Sequence, residues 1–95
     1  MFIVSLTYTC DLEEVDELLD THVAYLKREY ANGHFVASGR KVPRTGGIIL
    51  SNVKTRDALE SILAEDPFSK AEIAEYTITE FIPTMVAAGF EILQK

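Results

Sequence analysis

The stretch FIVSLTYTCDLEEVDELLDTHVAYLKREYANG, Phe2 to Gly33, decides the fold. Its opening places Phe2, Val4, Leu6 and Tyr8 in alternation with Ile3, Ser5 and Thr7, the period of two that a strand shows when one face is strongly apolar. Asp11 precedes Glu14 by three residues, the spacing of a capping box in which a carboxylate accepts the unpaired amides of a starting helix. From Leu12 the period changes. Val15, Leu18, Leu19, His22, Tyr25, Leu26 and Tyr30 recur at steps of three and four, one stripe along a helix of about five turns, and Asn32-Gly33 ends it. A strand followed by a long amphipathic helix needs a sheet beneath the stripe, so the remaining residues have to supply partner strands.

They do. His34 to Val42 suits a second strand, Pro43-Arg44-Thr45-Gly46-Gly47 supplies turn residues, and Ile48 to Val53 suits a third strand, which predicts a hairpin. Thr55 is placed to cap a second helix that buries Ala58, Leu59, Ile62 and Leu63 and stops at Asp66-Pro67. Tyr76 to Ile82 reads as a fourth strand ended by Pro83, and the tail Thr84 to Lys95 fits either a short helix or another strand. Strand, helix, strand, strand, helix, strand is the split βαβ order. The expected fold is α+β and ferredoxin-like, a four-stranded antiparallel sheet with two helices on one face. Bulky apolar residues such as Ile3, Ile49 and Phe81 leave a second face in need of cover, and a second copy of the chain, giving a homodimer, is the expected cover.

Ninety-five residues allow one domain, spanning 1–95. With 47% hydrophobic and 25% charged residues, the composition is that of a folded globule rather than a disordered chain. No apolar run approaches the roughly 20 residues of a bilayer-spanning helix, and Met1-Phe2-Ile3-Val4-Ser5 lacks a basic leader, so a cytoplasmic location is expected. Cys10 is the one cysteine, which excludes an internal disulfide and a CxxC metal knuckle. A net charge of −6 argues against nucleic-acid partners, whose phosphates attract basic footprints. The charge is uneven: residues 34–56 hold Arg40, Lys41, Arg44, Lys54 and Arg56 and no acid. That segment is either the solvated face of a hairpin or a lure for a small anionic substrate beside it.

His22 stands where the helical stripe calls for leucine. The spacing is compatible with a core histidine satisfied by a backbone carbonyl and equally with a general acid or base held between helix and sheet. Asp66, before Pro67, has a structural use as the cap of a short turn, yet residues 64–75 give enough chain to bring its carboxylate over the cleft toward His22. Ser38 is placed either to pack in its strand or to hydrogen-bond a ligand. His34 reads as a surface residue, without the spacing of a metal site. Cys10 precedes Asp11, Glu13, Glu14 and Asp16, whose charges blunt a thiolate. Gly46-Gly47 lacks the spacing of a nucleotide-binding loop.

Taken together, the strand ending at Tyr8, the segment His22-Val23-Ala24-Tyr25-Leu26, Gly33 followed by Ser38-Gly39, Gly46-Gly47, and Asp66-Pro67-Phe68 resemble the YCII-related family. The resemblance covers most of the chain. It implies a dimeric α/β barrel, with His22 and Asp66 as the catalytic pair of a pocket. Arg40 is a departure, standing where the family often has proline. Relatives of this fold include muconolactone isomerases and a dehydrochlorinase, so the resemblance implies proton transfer in an isomerisation or elimination on a small anionic or cyclic molecule. His22 would serve as base or acid, Asp66 as its orienting partner, and Ser38, Arg40 and Arg44 as substrate-binding residues. Neither reaction requires a cofactor or metal, and none is expected. The competing expectation is a noncatalytic metabolite-binding or assembly module on the same scaffold.

Overall fold

In a computed structural model describing residues 1–94, the chain runs β1 (Phe2–Tyr8), α1 (Leu12–Ala31), β2 (Phe35–Arg40), β3 (Gly46–Ser51), α2 (Arg56–Leu63), α3 (Pro67–Lys70) and β4 (Ala74–Glu80), with a 3₁₀ turn at Glu91–Gln94. The strands form one sheet in the order β2-β3-β1-β4, every neighbouring pair antiparallel. This is the ferredoxin-like α+β arrangement. It differs from the expected one by the extra short helix α3, which folds residues between α2 and β4 back over the cleft.

Directly opposite residues share a sheet face, so the register divides the strands. Phe2, Val4 and Leu6 face Ser51, Ile49 and Gly47 on one side and Glu80, Ile78 and Tyr76 on the other. This face meets the helices. Phe2, Val4, Leu6, Ile49, Val15, Tyr25, Leu59, Leu63 and Phe68 make its core, each fully buried large side chain contributing about 1.5–3 kcal/mol. Ile49 therefore belongs to the helix-covered side, and the apolar residues of the opposite face on β1 and β3 are Ile3, Ile48 and Leu50.

Several boundaries move for identifiable reasons. Helix α1 closes on a Schellman motif: Gly33 adopts φ 77°, its N–H donates to the Tyr30 carbonyl at 3.0 Å, and the His34 N–H donates to the Glu29 carbonyl at 3.0 Å. His34 is consumed by that cap, so β2 begins one residue later. The last inward position of α1 is Glu29, not Tyr30, because the Glu29 carboxylate accepts from His34 Nδ1 at 2.6 Å. His34 is thus half-buried and paired rather than free on the surface. Asp11 occupies the N-cap of α1 without a side-chain cap bond, whereas Thr55 Oγ1 accepts the Ala58 N–H at 3.1 Å. Gly46 and Gly47 are strand residues. A side chain at Gly46 would put its Cβ 1.7 Å from the Leu6 carbonyl oxygen, so glycine is what lets β3 run this close to β1. The pairing of β4 starts at Ala74, opposite Tyr8, and ends at Glu80, two residues earlier at each end than the composition suggests.

No helix among the described residues is long and apolar enough to cross a membrane. Between β4 and Gln94 the tail is largely exposed and carries the exposed apolar side chains of Ile82, Met85, Phe90 and Ile92; Lys95 lies outside the described residues.

Candidate active site

The inward stripe of α1 carries His22 against the sheet, and its placement follows from helix geometry, since His22 is four residues from both Leu18 and Leu26. Helix α2 ends at Leu63, and Asp66 becomes the N-cap of α3, with Pro67 in the first helical position, where its missing N–H costs nothing. The capping role and the pairing role coincide in one carboxylate. Asp66 Oδ1 accepts the Phe68 N–H at 3.0 Å and the His22 Nδ1–H at 2.8 Å, while Oδ2 accepts the Tyr76 hydroxyl at 2.6 Å. Asp66 is fully buried, 0% exposed, and its three donors come from α1, α3 and β4. Short bonds to an ionised acceptor are the strong kind.

The imidazole is held by more than the carboxylate. Its ring stacks on Phe68, centroids 3.9 Å apart and planes 6° apart, and Phe68 in turn meets the Tyr8 ring edge-on at 5.9 Å. With Nδ1 donating to Asp66, the neutral ring presents Nε2 as a lone pair. Nε2 makes no hydrogen bond to the described residues, and no buried side-chain nitrogen or oxygen among them lacks a partner. Nε2 accordingly has solvent access, and His22 lines a pocket between α1 and the sheet.

That pocket has a volume of about 160 Å³, comparable with the roughly 150 Å³ apolar cavity that accommodates benzene. Leu6, Leu19, Leu26, Ile49 and Phe68 provide apolar walls, and His22, Tyr8, Ser38 and Arg40 the polar positions. Gly47 lines it as well, so the absence of a side chain on the helix face of β3 leaves room opposite Leu6. Ser38 is not loose: its Oγ and the Tyr30 hydroxyl lie 2.5 Å apart. Arg44 stands apart from this pocket. It lines an adjoining depression with Tyr8, Asp16, Leu19 and Arg40, and its guanidinium donates to Asp16 at 2.6 Å, a bond that holds its pKa above the ordinary arginine value.

Two tyrosines brace the pair. Burial, then the Asp66 charge and the hydrogen bond to it, push the Tyr76 phenol well above its ordinary pKa, so it remains a donor throughout the neutral range. Tyr25 is raised by burial first and by Asp66 second, and its hydroxyl donates to the Ile62 carbonyl at 2.7 Å, tying α1 to α2. Tyr76 is the member of the constellation that sequence reasoning missed. The available signal was a tyrosine on a strand, whose hydroxyl needs a partner when the ring is turned inward. Cys10 has its thiol pKa raised, by burial first and then by Glu14 and Asp11. No cluster of three or more potential metal ligands occurs among the described residues.

A family model, the YCII-related domain, matches residues 1–82. Among solved structures, the chain is similar to 5-chloro-2-hydroxyhydroquinone dehydrochlorinase from Burkholderia phenoliruptrix AC1100, in a complex with 2,5-dihydroxybenzoquinone. The TM-score is 0.71 at 18% identity, covering 85% of this chain and 93% of that one. At that identity the likeness is one of fold. The search of curated proteins finds no match.

Proposed function

The chain belongs to the YCII-related family, and from that premise we propose that it is an enzyme moving a proton on a small single-ring molecule, with His22 as the general base and acid. The observation that carries this reading is the 2.8 Å contact between His22 Nδ1 and a fully buried carboxylate on the wall of a ring-sized pocket. Asp66 fixes the tautomer and stabilises the imidazolium formed when Nε2 takes a proton, the division of labour between imidazole and carboxylate in hydrolytic triads. In isomerisation Nε2 removes a proton from one ring carbon or hydroxyl and returns it to another. In elimination the proton stays on His22 while the leaving group departs with its electron pair, and solvent later resets the base. Atoms and charge balance in both without a co-reactant. Ser38, steadied by Tyr30, donates a hydrogen bond to a ring oxygen. The dehydrochlorinase likeness supports the elimination branch through its fold and through the single-ring molecule in that complex.

We also infer a homodimer packed through the uncovered sheet face, on the strength of Ile3, Ile48 and Leu50 lying there and of an apolar tail whose Ile82 is 80% exposed. Light scattering on the purified chain tests it, and a monomer at micromolar concentration would sink it. The same features favour the assembly-module reading only if the pocket proves inert. Turnover screens with lactones, enols and halogenated phenols therefore decide between the two. The enzyme reading expects activity that disappears in His22→Gln while the circular dichroism spectrum is kept, and it fails if the variant turns over as fast as the parent.

A further inference from the structure

The geometry points to Arg40 as a subsite for a carboxylate borne on the ring, so that the pocket selects single-ring acids over neutral rings of the same shape; this rests on reading the His22 pocket as a substrate site. Strand β2 places Ser38 and Arg40 two residues apart on one face. The register sets Ser38 across from Ile49 and Arg40 across from Gly47, which is itself across from Leu6. Arg40 therefore projects on the helix-covered side, at the end of the strand where no side chain from Gly47 competes for space. It lines both the ring-sized pocket and the depression next to it, as Tyr8 and Leu19 do, and is the one cation the two have in common.

What sets Arg40 apart from the other arginines is that it is uncommitted, and what sets it apart from Lys54, which is also unpaired, is its place on the His22 pocket rather than on the depression beside Val53 and Ile62. Arg44 is held by Asp16 at 2.6 Å, Arg56 by Glu60 at 3.1 Å, and Lys41 donates to Thr7 Oγ1 at 3.1 Å. Among the described residues Arg40 forms no ion pair or side-chain hydrogen bond. The Asp16 carboxylate also faces the depression, but Arg44 neutralises it. On a chain of net charge −6, an unpaired guanidinium on the lining of a mainly apolar pocket is the local exception. Its planar fork suits a carboxylate, which it can grip with two parallel bonds. Arg40 is the one arginine or lysine on the lining of the ring-sized pocket, so it is the cation within that lining that an acidic substituent on a bound ring can meet.

The test compares 2,5-dihydroxybenzoate with 2,5-dihydroxybenzamide, matched in ring and shape and differing in charge. Binding is measured by titration calorimetry and by the ring signals of His22 in NMR spectra. The acid should bind about tenfold or more tightly than the amide, the range of a charge-assisted hydrogen bond. In Arg40→Gln that preference should fall to within about twofold while amide binding is retained, and Arg40→Lys, with charge but no fork, should lie between. Lys54→Gln removes a cation of the same basic segment away from the pocket and should leave the preference intact. Equal affinity for acid and amide in the parent protein, or a preference that survives Arg40→Gln, would overturn the subsite and leave the His22 pocket standing. If neither compound perturbs the His22 signals, the pocket reading and the subsite fall together.

Discussion

Removing the Asp66 carboxylate in two different ways separates its shape from its charge. In Asp66→Ala three donors lose their acceptor at once: the Phe68 N–H, the His22 Nδ1–H and the Tyr76 hydroxyl. Loss of an N-cap costs about 1 kcal/mol, and each of the two further donors left unsatisfied in the interior costs about 1–3 kcal/mol, so the alanine variant should lose about 3–7 kcal/mol. Against a total stability of about 5–15 kcal/mol for a small domain, that is a large share of what keeps the chain folded. Asparagine behaves differently. Both the Phe68 and His22 donors converge on Oδ1, so the amide oxygen has to stay there, and the amide nitrogen takes the place of Oδ2 and donates to the Tyr76 oxygen. The charge-assisted part of the bonding is lost, and the Tyr76 proton, which loses its acceptor when that bond reverses, has to turn elsewhere, together about 1–3 kcal/mol. Urea titration followed by circular dichroism, with a slope of about 1 kcal/mol per molar for a chain this size, would place the asparagine midpoint about 1–3 M below the parent and the alanine midpoint lower still. Equal midpoints for the two variants, or an alanine cost under about 1 kcal/mol, would refute the threefold acceptor.

Other expectations follow from single features. Tyr25 and Tyr76 both hold their phenol protons more strongly folded than unfolded. Their contribution is therefore fully present below pH about 10 and is lost above it, by up to about 1.4 kcal/mol per pH unit for each tyrosine. Urea midpoints measured from pH 8 to 11.5 should fall, less steeply in Tyr76→Phe, and parallel slopes would count against its buried phenol. Gly46→Ala drives a methyl into the Leu6 carbonyl and should destabilise by at least about 2 kcal/mol. Gly47→Ala, whose Cβ meets only the Gly39 oxygen at 3.1 Å, should cost less and narrow the pocket; calorimetric ring binding and melting temperatures report both. Cys10, with its pKa raised, should alkylate with iodoacetamide at pH 7.5 several-fold more slowly than free cysteine, and an equal rate would argue against that environment.

The order of elements was legible because β1 and α1 each follow one period without interruption, and the inward turn of His22 follows from the same stripe. The approach of Asp66 was legible only as permitted by chain length. What joins it to His22 is α3, a four-residue helix too short to leave a periodic signal, whose start is nonetheless marked by Asp66-Pro67. Pairing partners distant in sequence were out of reach. Nothing local says that Tyr76 lies across from Leu6, that Gly46 passes the Leu6 carbonyl, or that Glu29 turns inward to meet His34, because each depends on strand register or helix-end geometry. The same limit explains Arg44, whose local sequence could not indicate that Asp16 on α1 would engage it. Ile49 was grouped with the open face for the same reason: residue type is apolar on both sides of β3, and register alone assigns the side.

Proton transfer by His22 requires that the buried Asp66 carboxylate hold its ring with Nδ1 protonated and Nε2 open to the pocket. Nitrogen-15 NMR of histidine-labelled protein, recorded at a pH where the ring is neutral, reads this directly. The expected spectrum has an Nδ1–H correlation for His22 and an unprotonated Nε2 that shifts when a ring compound binds. An Nε2–H tautomer, or an Nε2 signal indifferent to every ring compound, would contradict it.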